Sequence, residues 1–297
     1  MMRAAQARGH GIWTCEVTDL AWQGGATARA TRFSLADNDE DWYRAHETET
    51  RPLNKFGAVL MRKDPPFDLE YVASTWLLSA AVREGAKVFN APDAIRDHNE
   101  KLAIAEFGRF LAPTLVTRDA DRLQAFIEAE RDVVLKRLDV MGGENIFRVR
   151  RDDPNRNVIV EIMAQGGARS VMAQRYIPEI AKGDNRVLLI DGKAVPHCLA
   201  RIPKAGESRG NLAAGARGVA QPLSPRQREI AEALGPVLSK RGLLLVGLDI
   251  IGDYLTEVNV TSPTGIQEID RLDGVRLEAN VIDFVERRAA VLDRPAP

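Results

Sequence analysis

The sequence predicts an α/β protein with α+β lobes, divided into residues 1–97 and residues 98–297. Three observations carry this. From Ala58 to Asn90 the chain reads strand ("AVLM"), helix ("YVASTWLLSAAVREG") and strand ("AKVFN"), the spacing of a parallel strand–helix–strand unit. Two long β-branched hairpins follow, "NRVLLIDGKAVPHCLARIP", turning at Asp191-Gly192, and "LLLVGLDIIGDYLTEVNV". Between strands lie amphipathic helices, such as "DADRLQAFIEAE", with Leu123, Phe126 and Ile127 on one face.

In chain order, "MMRAAQARG" predicts a helix ending at Gly9, and "IWTCEV" a strand. Helix then strand reads as the second half of a strand–helix–strand unit whose first strand is missing: either the fold begins unusually, or the chain starts downstream of a fuller protein's start. Residues 20–50 are polar with weak strand signals. The strand at Ala58–Met61 runs into "RKDPPFD", where the double proline ends it. In parallel sheets such a carboxyl end of a strand is where ligands bind. "DAIRDHNEKLAIAEFGRF" predicts one helix to about Phe110. A small lobe is expected at about 113–177: "LAPTLVTR" as linker and strand, the helix just named, "DVVLKRLDVMGGENIFRV" as strand, glycine turn and strand, and "VMAQRYIP" as a strand that breaks at Pro178. "SPRQREIAEALGPVLSKRG" starts on a Ser-Pro helix signal, and "VRLEANVIDFVERRAAVL" is helical.

Of the 297 residues, 45% are hydrophobic and 28% charged, ordinary for a globular protein. The net charge of -1 offers no global field for nucleic acid or an anionic membrane. No window supplies the roughly 18 apolar residues of a membrane span, and the N-terminus lacks the apolar stretch of a signal peptide. Cys15 and Cys198 fit no metal spacing and read as incidental thiols of a reducing cytosol.

The candidate chemistry lies in the second half. In "LTEVNVTSPTG", Glu257 and Asn259 share one face of a strand, because residues i and i+2 point the same way. A carboxylate and an amide oxygen are hard donors of the kind Mg²⁺ takes, with waters and phosphates completing its octahedron. Asp249 lies on the partner strand. A regular two-residue turn at Gly252-Asp253 pairs it with Thr256, on the wrong face; a three-residue loop or a bulge pairs it with Glu257. The other reading of this face is a solvated polar strand. Lys136 closes an apolar strand next to Gly142-Gly143, where backbone N–H groups can approach an anion. "RIPKAGESRGNLAAGARG", Arg201 to Gly218, carries four glycines and four basic residues, the composition of a mobile lid over a polyphosphate or of a plain linker.

In order, "NEKL", "LK…GG", "AQRYIP", "GDNRVLLIDG", "ARI…RGNLAAG" and "GLDIIG…EVNVTSPTG" resemble an ATP-grasp ligase. With "LMRKDPPFD", the match is to the prokaryotic glutathione synthetases over nearly the whole chain. The resemblance implies an ATP-grasp fold preceded by an N-terminally shortened Rossmann-like domain. It implies ligation of γ-glutamylcysteine to glycine with ATP and Mg²⁺ or Mn²⁺, through an acyl phosphate, by a cytoplasmic homotetramer with neither nucleic acid nor membrane as partner. It implies nucleotide contacts for Lys101, Lys136, Gly142, Gly143, Gln174, Arg175, Tyr176, Ile177, Asp184 and Arg186. Metal contacts fall to Asp249, Glu257 and Asn259. Arg201, Arg209 and Asn211 would meet phosphates or the acyl phosphate, and Arg62, Asp64, Ser262 and Thr264 the peptide substrate. The chain departs from the family at Arg137, Val140 and Ala216. Two alternatives stand beside this reading: an ATP-grasp ligase for another acid and amine, and an ATP-binding protein without ligase activity.

Overall fold

The computed structural model describes residues 1–292 except 141–144, 205, 207–209, 211 and 213–214. Gly142, Gly143, Arg209 and Asn211 therefore lie outside the described residues.

The chain opens with helix α1 (Met2–Ala7), strands β1 (Ile12–Thr14) and β2 (Leu20–Trp22), and the long hairpin β3 (Ala26–Leu35) and β4 (Tyr43–Pro52). Strand β3 pairs antiparallel with the other three. This corrects the reading of residues 1–14 as half of a strand–helix–strand unit, because β1 runs antiparallel to its neighbour. It also turns residues 20–50, read as weak strand, into the largest part of this sheet. Alternation carries it: Ala26, Ala28 and Ala30 are buried on one face of β3, while β4 is exposed nearly throughout.

Next come β5 (Val59–Leu60), α2 (Leu69–Arg83), β6 (Val88–Phe89) and α3 (Pro92–Asp97). Strands β5 and β6 pair in parallel, as the spacing predicts. Asp68 caps α2 by accepting the Tyr71 N–H. Asn90, just after β6, accepts the N–H groups of Leu244 and Leu245 and donates to the carbonyls of Leu245 and Val260. One buried amide thus stitches the N-terminal region to the central sheet.

The single helix expected from Asp93 to Phe110 is broken. Helix α3 stops at Asp97, His98 is extended, and a 3₁₀ run occupies Leu102–Phe110. The cause is local: the Asn99 side chain accepts the N–H groups of Lys101 and Leu102, starting a new turn there. The break brings residues 99–101 to the cleft described below.

A small lobe follows: β7 (Thr114–Thr117), α4 (Ala120–Glu130), β8 (Asp132–Arg137), β9 (Phe147–Arg150), α5 (Arg156–Ala164) and β10 (Val171–Arg175). Its antiparallel sheet runs β7-β10-β8-β9. Leu123 and Ile127 of α4 are buried against Val133, Leu135 and Val149, as the periodicity requires.

The large sheet contains β11 (Asp184–Ile190), β12 (Lys193–Ala194), β13 (His197–Ile202), β14 (Arg217–Pro222), β15 (Leu245–Ile251) and β16 (Tyr254–Asn259), in the order β14-β13-β11-β15-β16. Asp191 and Gly192, both at positive φ, form the expected two-residue turn between β11 and β12. Strand β14 was not anticipated, because its apolar signal is diluted by the preceding glycine-rich loop. Helix α6 (Pro225–Lys240) is capped by Ser224 and Gln227 in a reciprocal pair. It packs on one face of the sheet with α2, through Leu234, Ile230, Val246 and Leu78. On the other face lie α7 (Ile266–Asp273), which the sequence did not signal, and α8 (Leu277–Leu292), through Ile269, Val281 and Phe284.

Candidate active site

The small lobe and the large sheet enclose a cavity of about 370 Å³. Its decisive wall is the hairpin of β15 and β16. Ile251 pairs with Tyr254 and Ile250 with Leu255; the register then slips, so that Asp249 faces Glu257 and Gly247 faces Asn259. The turn is the short one, and a bulge supplies the shift that brings Asp249 beside Glu257. Thr256, the extra residue, turns its hydroxyl onto the Asp249 carbonyl at 3.1 Å. Three oxygen-bearing side chains thus share one face.

Each member is held. The Asn259 amide donates to the Gly247 carbonyl at 3.1 Å, which turns its Oδ1 away from that bond. Glu257 Oε1 lies 3.1 Å from the Lys101 ammonium, which also donates to the Val140 carbonyl at 2.5 Å. Asp249 is 3% exposed and receives Arg186 through Nε at 2.5 Å and Nη2 at 3.0 Å, and Arg201 through Nη2 at 3.0 Å. Burial opposes ionisation of Asp249, but the two guanidiniums outweigh it and hold the carboxyl well below its usual range. Gly247 makes this possible: a Cβ there would stand 2.8 Å from Arg186 Cδ, so only glycine lets that side chain cross the strand.

Arg201 also donates to Asp184 at 2.6 Å. The result is a chain of alternating charges, Arg186, Asp249, Arg201, Asp184. Asp184 has one guanidinium where Asp249 has two, and its Oδ1 is buried without a partner. Burial therefore wins, and the Asp184 carboxyl is pushed up to about 6. Across the cavity, Lys136 donates to Gln174 Oε1 at 2.7 Å, and Gln174 in turn donates to Thr114 at 3.2 Å. Burial pushes the Lys136 ammonium down, with Glu257 opposing. A lysine whose near partner is a neutral amide is poised to gain from an anion.

Gln174, Arg175, Tyr176 and Ile177 line the cavity beside an apolar slot formed by Val134, Ile146, Ile180 and Ile251. Asp64, Ser262 and Thr264 also line the cavity, as do Gly210 and Leu212 from the segment between β13 and β14, and Gly210 sits close against Asp184 and Arg201. Lys101, Lys136, Asp184, Arg186, Arg201, Asp249, Glu257 and Asn259 face the same space. Arg62 does not line it: from behind, it donates to the Pro263 carbonyl at 2.9 Å, and it shapes the turn that carries Ser262 and Thr264. The apolar slot escaped sequence reasoning because its members read as ordinary core positions. Glu100 and Glu268 also line the cavity unannounced.

Among the described residues no three His, Cys, Asp or Glu side chains form a metal cage. The donor set of Asp249, Glu257 and Asn259, two carboxylates and one amide, nevertheless fits a hard divalent cation that shares its sphere with phosphate oxygens. Glu257 Oε2 and Asn259 Oδ1 have no partner among the described residues, so both remain open to it.

Apolar side chains, two lysines and a hard-oxygen face around one cavity are the kinds of group that suit a nucleoside polyphosphate. Comparison with known proteins agrees. The family model for the prokaryotic glutathione synthetase ATP-grasp domain matches residues 100–274, and the model for the N-terminal domain of that family matches residues 1–96. The chain belongs to the prokaryotic glutathione synthetase family. It is 58% identical over 290 residues to the glutathione synthetase of Ralstonia nicotianae, covering 97% of this chain and 90% of that one. It is 52% identical over 298 residues to that of Nitrosomonas europaea, covering 99% and 93%. Among solved structures, the ATP-grasp ligase PsnB complexed with minimal precursor, Mg and ADP aligns with a TM-score of 0.62 at 16% identity, over 97% of this chain and 92% of that one. The D-cycloserine synthetase DcsG aligns at 0.62 and 17% identity, over 80% and 86%. These distant alignments show the fold, ATP-grasp, which the order of motifs predicts.

Proposed function

We propose that this chain joins γ-glutamylcysteine to glycine at the expense of ATP. The observation that carries this reading is the bulged hairpin that gathers Asp249, Glu257 and Asn259 opposite Lys101 and Lys136, in a chain of this family. The adenine lies in the apolar slot against residues 174–177, and Lys101 and Lys136 receive phosphate oxygens. Asp249, Glu257 and Asn259 would hold a divalent cation, Mg²⁺ or Mn²⁺, which when bound neutralises charge on the phosphates. The dipeptide, by the Thr261–Thr264 turn and Asp64, presents its carboxylate to the γ-phosphorus. A carboxylate oxygen forms the new P–O bond and ADP leaves. The glycine amine then attacks the acyl carbon, the C–N bond forms, and phosphate departs with that oxygen. Arg201, whose Nη1 is free among the described residues, is placed to neutralise the anion that develops. The protein forms no covalent bond to substrate. Its residues position anions and exclude water, the work expected in phosphoryl transfer.

The segment between β13 and β14, residues 203–216, acts as the cover, with Arg209 and Asn211 its expected phosphate contacts and Gly142-Gly143 a second one. We place the division between the two domains near Asp97, supported by the helical break at residues 98–101. No helix among the described residues is long and apolar enough to cross a membrane. We further assign a cytoplasmic enzyme that works as a homo-oligomer, a tetramer by resemblance to the family. The mechanism is tested with γ-glutamylcysteine carrying ¹⁸O in both oxygens of its cysteinyl carboxylate. Glutathione must form, and one label must appear in the released phosphate. Glutathione with unlabelled phosphate would sink the acyl-phosphate route.

A further inference from the structure

The break between α3 and the 3₁₀ run places Glu100 at the end of β16. Its main-chain carbonyl accepts the Val258 N–H at 2.9 Å. Its carboxylate Oε1 accepts three more hydrogen bonds: Val260 N–H at 2.7 Å, Thr261 N–H at 2.9 Å and the Thr261 hydroxyl at 2.8 Å. One oxygen therefore closes over the point where the metal-face strand ends and the Thr261–Gly265 turn begins. The turn is tied on its other side by Arg62 to the Pro263 carbonyl and by Arg186 to the Thr264 carbonyl at 3.2 Å. The next residue after Glu100 is Lys101, whose ammonium lies on Glu257. Ending a strand does not require a buried carboxylate, and burying one is costly unless donors surround it. Here three donors converge on one oxygen, while Oε2, without a partner among the described residues, belongs to a residue that lines the cavity.

We propose that Glu100 is a positioning residue: it fixes the Thr261–Gly265 turn against Lys101, so that the acid substrate on the turn and the γ-phosphate near the lysine meet in register. This deepens the ligase reading and rests on it. Glu100 itself transfers nothing; it acts through the turn. Its removal leaves the adenine slot, Lys136 and the metal face in place and loosens only the peptide end.

The test is steady-state kinetics of the full chain, with thermal unfolding measured alongside, for Glu100→Ala and Glu100→Gln. Loss of the acceptor in Glu100→Ala should lower kcat by roughly ten- to hundredfold, the cost of a misplacement of about an ångström. KM for γ-glutamylcysteine should rise about tenfold while KM for ATP stays within about threefold, since only the peptide end is loosened. Glu100→Gln keeps an acceptor oxygen at the same place and should restore both parameters to within about threefold of the wild type. A variant that only melts earlier, with unchanged constants for the folded enzyme, would reduce Glu100 to a brace and overturn the proposal. So would Glu100→Gln as impaired as Glu100→Ala, because the charge rather than the anchoring would then matter. Should Glu100→Ala fail to fold, Thr261→Val removes one of the three donors. A several-fold rise in the dipeptide KM alone supports the proposal, and an unchanged KM overturns it. Wild-type enzyme that makes no glutathione would count against the ligase reading instead.

Discussion

Among the described residues, two bulged antiparallel hairpins have polar strands, and they do opposite things. In β3–β4 the register slips between Thr31 and Phe33, and β4 is exposed along nearly its whole length. Its cross-strand contacts are those of a solvated face: Thr31 to Thr48 at 2.8 Å, Ser34 to His46 at 2.8 Å and the exposed pair of Arg32 with Glu47 at 3.2 Å. In β15–β16 the slip falls at Asp249, and the polar face looks into the cleft against buried arginines and a lysine. Alternation of polar and apolar residues is common to both. What separates them is whether water or protein answers the polar side, because charges that protein answers are screened far less than charges that face solvent.

The sharpest way to probe this difference is to remove a charge from each hairpin. Asp249→Ala leaves Arg186 and Arg201 buried with a lost counter-ion and should destabilise the protein by about 3–5 kcal/mol. Thermal unfolding should fall by on the order of 10 °C. A midpoint within a degree or two of the wild type would show that the network is solvated after all. Lys101→Met removes the ammonium from Glu257 and from the proposed phosphate site. Equilibrium binding of ATP should weaken by about ten- to hundredfold, the worth of one charge-assisted hydrogen bond, while the fold is retained.

A smaller effect is carried by pH. Asp184 titrates near 6 when folded, against the ordinary 3.8 of the unfolded chain. Between these values the folded state holds the proton that the unfolded state has released. This contribution is therefore present below about 3.8 and is lost as pH rises to about 6. Asp184→Asn should flatten that segment of the stability profile, measured by denaturant unfolding at pH 4 and 6; an unchanged slope would place Asp184 in a more solvated setting. The smallest effect is expected on the first hairpin. Glu47→Ala should change neither the unfolding midpoint nor turnover, and loss of either would mean that β4 has a partner of its own.

Much of the site was legible because its chemistry forces residue types into strands where packing alone would not put them. Glu257 and Asn259 at i and i+2, and the lysine before the double glycine, are of this kind. The place of Asp249 was not legible in the residues alone, which allow either register; the family resemblance called for an irregularity there, and the bulge at Thr256 supplies it. Glu100 was hidden in "RDHNEK", where an acid reads as a solvated helix face; only the helical break set by Asn99 turns it inward. The β3–β4 hairpin was read too weakly, since a strand with one solvated face has few apolar residues to announce it. Arg62, expected to meet the peptide substrate, does not line the cavity; it donates to the Pro263 carbonyl of the turn.

The central claim is that the bulged hairpin presents a metal face for ATP-driven ligation. ADP release from Mg-ATP tests it most directly, with γ-glutamylcysteine and glycine each present or omitted, in the wild type and in Glu257→Ala. Release that requires both substrates, and that falls by about a hundredfold or more in Glu257→Ala at an unchanged unfolding midpoint, is the predicted result. Release that ignores the substrates, or that survives the substitution, would contradict the account.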